Sequence, residues 1–78
     1  MILTDGIHLI SDVSISELHE FAKNNDIKRC WFHNRRGRNR PHYDITSQEK
    51  REKILSVEGV KLISSKEIVT ILKRIYSK

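Results

Sequence analysis

Residues 7–22, with the sequence IHLISDVSISELHEFA, hold a strand followed at once by a capped helix, and this unit decides the fold class. The apolar run IHLI is typical of a short strand. The tetrapeptide SISE at 14–17 matches a capping box, in which Ser14 caps the helix and Glu17 reaches back to it. Apolar residues then recur at helical spacing, which predicts a helix from about Ser14 to Asn24.

The rest of the chain repeats this alternation. Further strands are predicted at 2–4, 27–33, 42–45 and 60–63, and further helices at 46–59 and from Ser64 onward. The turn pair Asp5-Gly6 separates the first two strands, and Lys61 suggests an edge position for the last strand. Strands alternating with helices predict an α/β fold, a small single layer-type domain with a mixed, partly parallel sheet of four to five short strands and three helices.

Length and charge limit the possible functions. The chain has 78 residues, which is one domain, 1–78, and its formal net charge is +5. This charge favours anionic partners, although solubility alone also explains it. The single cysteine, Cys30, excludes an internal disulfide, and its place in an apparent strand predicts a buried thiol. Neither a signal peptide nor a membrane span is recognisable, so we expect a cytoplasmic protein with no membrane partner.

The segment 34–41 is a predicted basic loop without any apolar residue apart from its proline. It contains Arg35, Arg36, Arg38 and Arg40 but no lysine. Arginine binds phosphate bidentately, which lysine cannot do, and crowded arginines repel one another unless an anion is bound. The segment therefore predicts phosphate recognition rather than a merely solvated run of charge. Trp31 and Tyr43 flank it and could stack on a base.

Histidines and aspartates form a second candidate set. Asp12, His33 and His42 lie beside predicted loops, where a shared pocket is plausible. His42 and Asp44 lie on one face of a strand, which suits a general base oriented by a carboxylate, whereas Glu17 and His19 do not face each other on a helix. Structural histidines are the alternative. The spacings HxxxH, HxH and CxxC are absent, so we assign no metal ligand and no cofactor from the sequence.

Four short motifs carry a resemblance to a known family. HLISD at 8–12, ELHEFA at 17–22, WFH at 31–33 and HYDI at 42–45 resemble the domain of unknown function numbered 4031. Its members are small bacterial and phage proteins with an HYD tripeptide after a tryptophan-containing strand. The resemblance covers about Asp5 to Glu67 and implies no activity. It directs attention to His8, Asp12, Glu17, His19, Trp31, His33, His42, Tyr43 and Asp44.

These observations favour a non-enzymatic binding module for a phosphate-bearing small ligand. A nucleotide or nucleotide-derived signal is the favoured ligand, which a phage protein could sequester against host defence. Two alternatives remain open: a nucleic-acid-binding domain that uses the basic loop, and a small His/Asp hydrolase or nuclease. We also expect Trp31 to be mostly buried against the first helix. A wide apolar stripe on the last helix, from Ile68 to Tyr76, predicts a homodimer.

Overall fold

The computed structural model describes residues 1–34 and 40–76, which form three helices and five strands. Along the chain, the elements are β1 (Ile2–Thr4), β2 (His8–Ser11), α1 (Ile15–Asn24), a 3₁₀ turn (Arg29–Trp31), β3 (Phe32–His33), β4 (His42–Asp44), α2 (Gln48–Leu55), β5 (Val60–Leu62) and α3 (Ser65–Tyr76). This is the predicted order of elements, with β3, β4 and β5 shorter than expected.

All five strands belong to one mixed sheet with the order β3-β4-β2-β1-β5. Neighbours pair in antiparallel fashion except β1 and β5, which are parallel. The predicted α/β fold class with a partly parallel sheet is therefore confirmed. The strand β5 lies at an edge, as Lys61 predicted.

Successive residues of each strand pack on opposite faces of the sheet. On β2, Leu9 packs with residues of α1 and α2 on one face, whereas Ile10 packs with α3 on the other. The core is thus split between two layers of helices. Only α3 covers the second face, so the part of that face formed by β3 and β4 has no helix above it among the described residues.

The capping prediction for α1 is half right. The Ser14 hydroxyl accepts a hydrogen bond from the Glu17 backbone N–H at 3.1 Å. The Glu17 carboxylate, however, accepts from the Ser11 hydroxyl instead of the Ser14 backbone. Gly6 has a φ of 98°, so the turn between β1 and β2 uses a backbone conformation that suits glycine, as the Asp5-Gly6 pair predicted.

The prediction of one strand over 27–33 was right only for Phe32 and His33, which form β3. Lys28 to Trp31 make a 3₁₀ turn, in which the Trp31 N–H donates to the Lys28 carbonyl. This turn leaves Cys30 exposed rather than buried, and Trp31 is half-buried against the α1 side of the core rather than mostly buried. Within residues 1–34 and 40–76, no helix is long and apolar enough to cross a membrane.

Candidate functional site

Strand register brings three histidines and one aspartate together on the face of the sheet that α3 only partly covers. His8 on β2 pairs with Asp44 on β4, and His33 on β3 pairs with His42 on β4. His42 and Asp44 are two residues apart on one strand, so their side chains share a face, as the sequence pattern predicted. These four residues are called the histidine cluster below.

All three imidazoles of the histidine cluster point a ring nitrogen at the Asp44 carboxylate. The Nε2 atom of His33 lies 3.1 Å from Asp44 Oδ2. The Nε2 atoms of His42 and His8 lie 3.3 Å and 3.7 Å from Asp44 Oδ1. The cluster is open to solvent, since the His33 side chain is 56% exposed and the Asp44 side chain 34%. Solutes can therefore reach it.

The ring nitrogen of His8 that faces away from the cluster contacts the carboxylate of Asp5, which is almost fully buried. The Asp5 side chain is 2% exposed and lies 2.9 Å from His8 Nδ1. Burial by itself would raise the pKa of Asp5, but hydrogen bonds from the His8 ring, the His8 backbone N–H, the Ser65 hydroxyl and the Ile7 N–H outweigh it and hold that pKa well below its ordinary value. Asp5 is therefore ionised and can only accept, which means that His8 Nδ1 carries a proton.

His42 is held in the same way by a backbone carbonyl. Its Nδ1 lies 2.8 Å from the carbonyl oxygen of Arg40, which can only accept, so this nitrogen also carries a proton. A neutral imidazole has one N–H. When they are neutral, both His8 and His42 consequently present a bare Nε2 lone pair to the oxygens of Asp44.

A cleft of about 220 Å³ runs from the histidine cluster to α3. Its polar wall contains His8, His42, Arg40 and Ser65, and its apolar wall consists of Ile68, Val69 and Leu72. The apolar wall and Ser65 belong to α3, whereas His8, Arg40 and His42 come from β2 and from β4 with the residues before it. The cleft thus offers charged and apolar contacts to the same small molecule.

His19 and Tyr43 lie on the opposite face of the sheet and do not join the histidine cluster. His19 Nδ1 is 2.7 Å from the Tyr43 hydroxyl, and the His19 ring packs edge-on against Phe32. Burial, together with the nearby charge of Arg29, lowers the pKa of His19. Tyr43 is 1% exposed, so its ring packs in the core and is not free to stack on a base. Both residues line a separate hollow on that face, together with Lys23, Ile27 and Arg29.

The remaining sequence-predicted residues also lie away from the cluster. Asp12 follows the far end of β2, where its carboxylate and that of Glu17 both contact the Met1 amino group. The structure therefore does not bring Asp12 to His33 and His42. Trp31 lies in the 3₁₀ turn, on the α1 side of the core. Arg35, Arg36 and Arg38 lie outside the described residues, and Arg40 is described.

Sequence reasoning missed two residues of the site, Asp5 and Ser65. Asp5 was assigned to a turn, and its Oδ1 does accept from the backbone N–H groups of Ile7 and His8. The same side chain also fixes the His8 ring, which its position three residues before His8 could have suggested. Ser65 is 60 residues from Asp5 along the chain, and no local pattern reveals their contact.

The histidine cluster is rich in potential metal ligands, but they are not arranged around an ion. Within the described ranges, no three His, Cys, Asp or Glu side chains are already placed to hold a metal ion. Instead, Asp44 contacts the imidazoles directly. The site presents imidazole nitrogens and a carboxylate to a cation, and it presents the guanidinium of Arg40 to an anion.

Comparison with known proteins places the chain in a family. The chain matches a family model described as "Protein of unknown function (DUF4031)" over residues 5–75. No curated protein matches the chain, and no solved structure matches it. Since the family match covers nearly the whole chain, including all four residues of the histidine cluster, this protein belongs to the DUF4031 family.

Proposed function

We propose that this protein binds a phosphate-bearing small molecule, with a nucleotide as the favoured class, in the cleft between the histidine cluster and α3. The observation that carries the proposal is the pairing of Arg40 with an apolar wall in one cleft. A guanidinium binds phosphate oxygens, and an apolar wall binds the base or sugar of a nucleotide. In this proposal the protein binds the ligand without converting it, and the protein is located in the cytoplasm.

The size and charge of the protein also support a small anionic ligand. About 220 Å³ is below the usual volume of a drug-sized pocket, so it suits one phosphate group and a small organic body. The formal net charge of +5 favours the approach of anions. Arg35, Arg36 and Arg38 belong to the same basic segment as Arg40, and we propose that they add to the attraction.

Replacing Arg40 by glutamine should weaken nucleotide binding by roughly 10- to 100-fold. A charge-assisted bidentate contact contributes about 1.5–3 kcal/mol, and each 1.4 kcal/mol is a factor of ten in affinity. Isothermal titration calorimetry with a panel of mono- and dinucleotides measures the effect. Arg74→Gln is the matched control, because it removes the same charge from a part of α3 that does not line the cleft.

A variant that replaces Arg35, Arg36, Arg38 and Arg40 together by glutamine should abolish binding without unfolding the protein. Arginine and glutamine both have long polar side chains, so we expect the free energy of unfolding to change by less than about 0.5 kcal/mol per position. A ligand at a hundredfold excess over its Kd should stabilise the parent by about 2.7 kcal/mol and should leave this variant unchanged. If the variant binds every nucleotide as well as the parent does, phosphate recognition by these arginines is disproved.

A second candidate function is hydrolysis of a phosphoester, which the convergence of three imidazoles on Asp44 favours. Imidazole and carboxylate pairs act as general bases when they are held within hydrogen-bond distance. Release of product from a bound nucleotide, lost in His42→Ala, would support hydrolysis over simple binding. Affinity that falls steeply with salt and ignores base identity would instead indicate nucleic-acid binding.

We propose that the protein assembles as a homodimer, although most of the apolar stripe of α3 packs in its own chain. Ile68 and Leu72 are buried against β1 and β2, whereas Leu62 on the edge strand β5 is 63% exposed. Exposed apolar side chains at a sheet edge favour pairing with a second copy. Light scattering should give twice the 9.2 kDa chain mass. A monomer mass throughout the micromolar range would rule the dimer out.

A further inference from the structure

We propose that the histidine cluster is a binding site for a divalent transition-metal ion of the zinc class, with His8, His33, His42 and Asp44 as its ligands. The proposal does not depend on the phosphate ligand proposed above. It goes further than the sequence could, since the four residues have no recognised metal-binding spacing and only the sheet register brings them together.

The first support is the orientation of the rings. His8 and His42 each donate Nδ1–H away from the cluster, to the Asp5 carboxylate and to the Arg40 carbonyl. A histidine that binds a metal almost always donates its other ring N–H to a carboxylate or a backbone carbonyl, which fixes the ring and makes the ligating nitrogen more basic. His8 shows the carboxylate form and His42 the carbonyl form, and in both residues Nε2 is the ring nitrogen that faces the cluster.

The second support is electrostatic. The Nε2 atoms of His42 and His8 lie 3.3 Å and 3.7 Å from Asp44 Oδ1, so two imidazole nitrogens and a carboxylate are concentrated in one small volume. Such a concentration of nitrogen and carboxylate donors attracts a cation. Asp5 behind His8 adds further negative charge, and Arg40 is the cation that lines the adjoining cleft.

The third support is the spacing of the donor atoms. Ligands about 2.1 Å from one ion in tetrahedral geometry lie about 3.4 Å from each other. The three distances from imidazole nitrogens to Asp44 oxygens are 3.1, 3.3 and 3.7 Å. Because Asp44 now contacts the rings directly, its carboxylate must turn and the His33 ring must present a bare Nε2 before an ion can bind. Both groups are partly exposed and have room for this change.

The donor set indicates the kind of ion. Three imidazoles and one carboxylate suit Zn²⁺, Co²⁺, Ni²⁺ or Fe²⁺, whereas Mg²⁺ and Ca²⁺ prefer sites made of oxygen atoms alone. We therefore expect Zn²⁺ to bind and Mg²⁺ not to bind. Solvent access to the cluster leaves room for a water molecule as a further ligand.

The test is metal binding by the full chain, prepared without a histidine tag and freed of metal by a chelator. Calorimetry with Zn²⁺ alone should give one ion per chain, and Co²⁺ should give the visible absorption of a nitrogen–oxygen site. Long-range ¹H–¹⁵N spectra should show the Nδ1–H form of His8 and His42 before metal is added, and a shift at Nε2 afterwards. Cys30→Ser should bind equally well, because Cys30 is not a ligand.

Substitutions test whether the proposed ligands, rather than other residues of the chain, bind the metal ion. His33→Gln and Asp44→Asn should each lower the Zn²⁺ affinity at least 100-fold, whereas Asp5→Asn, which only removes the support of His8, should lower it by about 10- to 100-fold. His19→Gln is the matched control, since it removes a histidine from the opposite face of the sheet, and it should bind like the parent.

Either of two results would overturn the metal site. One is a parent chain that binds neither Zn²⁺ nor Co²⁺ at micromolar concentrations, which needs no variant to interpret. The other is binding that survives in His33→Gln and Asp44→Asn, or that is lost in His19→Gln. Failure here leaves the nucleotide titrations untouched, because those use metal-free protein and report on Arg40.

Discussion

Replacing Leu9 by alanine should lower the free energy of unfolding by about 3–5 kcal/mol, a large part of the total stability of so small a domain. Leu9 is fully buried in β2, the central strand of the sheet, and packs with residues of α1, α2 and β4. Shortening it removes apolar contacts and leaves a cavity between two layers. Urea denaturation followed by Trp31 fluorescence measures the change.

Val13→Ala is the control for this prediction. Val13 lies close to Leu9 in sequence but is 63% exposed, so its truncation should change the free energy of unfolding by less than about 0.5 kcal/mol. A loss below about 1 kcal/mol for Leu9→Ala would mean that the sheet does not pack on α1 and α2 as described.

Replacing Asp5 by asparagine should lower the free energy of unfolding by about 3 kcal/mol at neutral pH, since several hydrogen bonds to a buried charge are lost or weakened. The effect should depend on pH. The pKa of Asp5 in the folded protein lies below its ordinary value of 3.8, so its contribution is complete above that value and is lost as the pH falls through and below it. Unfolding measured by urea between pH 2 and pH 7 should therefore show a steeper acid loss in the parent than in Asp5→Asn.

Asp26→Asn makes the same chemical change at an exposed site and serves as the control. The Asp26 side chain is 83% exposed, and its 3.9 Å contact with Lys53 should contribute little. Its free energy of unfolding should follow that of the parent at every pH. Equal curves for Asp5→Asn and Asp26→Asn would show that the contacts of Asp5 with His8 and Ser65 do not stabilise the fold.

Local sequence patterns were sufficient to predict the helices. Features that depend on contacts between residues far apart in the chain could not be predicted from such patterns. Capping serines and helical spacing located α1 and α3 to within a residue or two, because these features depend on neighbours along the chain. In the stretch 27–33 only Phe32 and His33 form a strand. Trp31 also suits a strand, but it belongs to a 3₁₀ turn and packs on the α1 side of the core.

Of the site, too, only the part that depends on neighbours along the chain could be predicted from the sequence. The partnership of His42 with Asp44 follows from alternation along β4 and was expected. Their contacts with His8 and His33 depend on which strands pair and in what register, and Asp12 was grouped with them because the direction of β2 is not visible in the sequence. The sequence predicted that Tyr43 could stack on a base. Because Tyr43 lies between His42 and Asp44 on β4, however, its side chain faces the opposite side of the sheet.

The alternation of buried and exposed residues along β4 also makes the position of the histidine cluster independent of the length of the segment that precedes β4. A shift of one residue in the pairing of β4 would push His42 and Asp44 into the core and expose the buried ring of Tyr43. The buried ring of Tyr43 thus fixes the face of the sheet on which His42 and Asp44 lie. We therefore expect a variant of this chain with residues added to or removed from the segment between His33 and His42 to keep the cluster, because the burial of Tyr43 sets the register of β4.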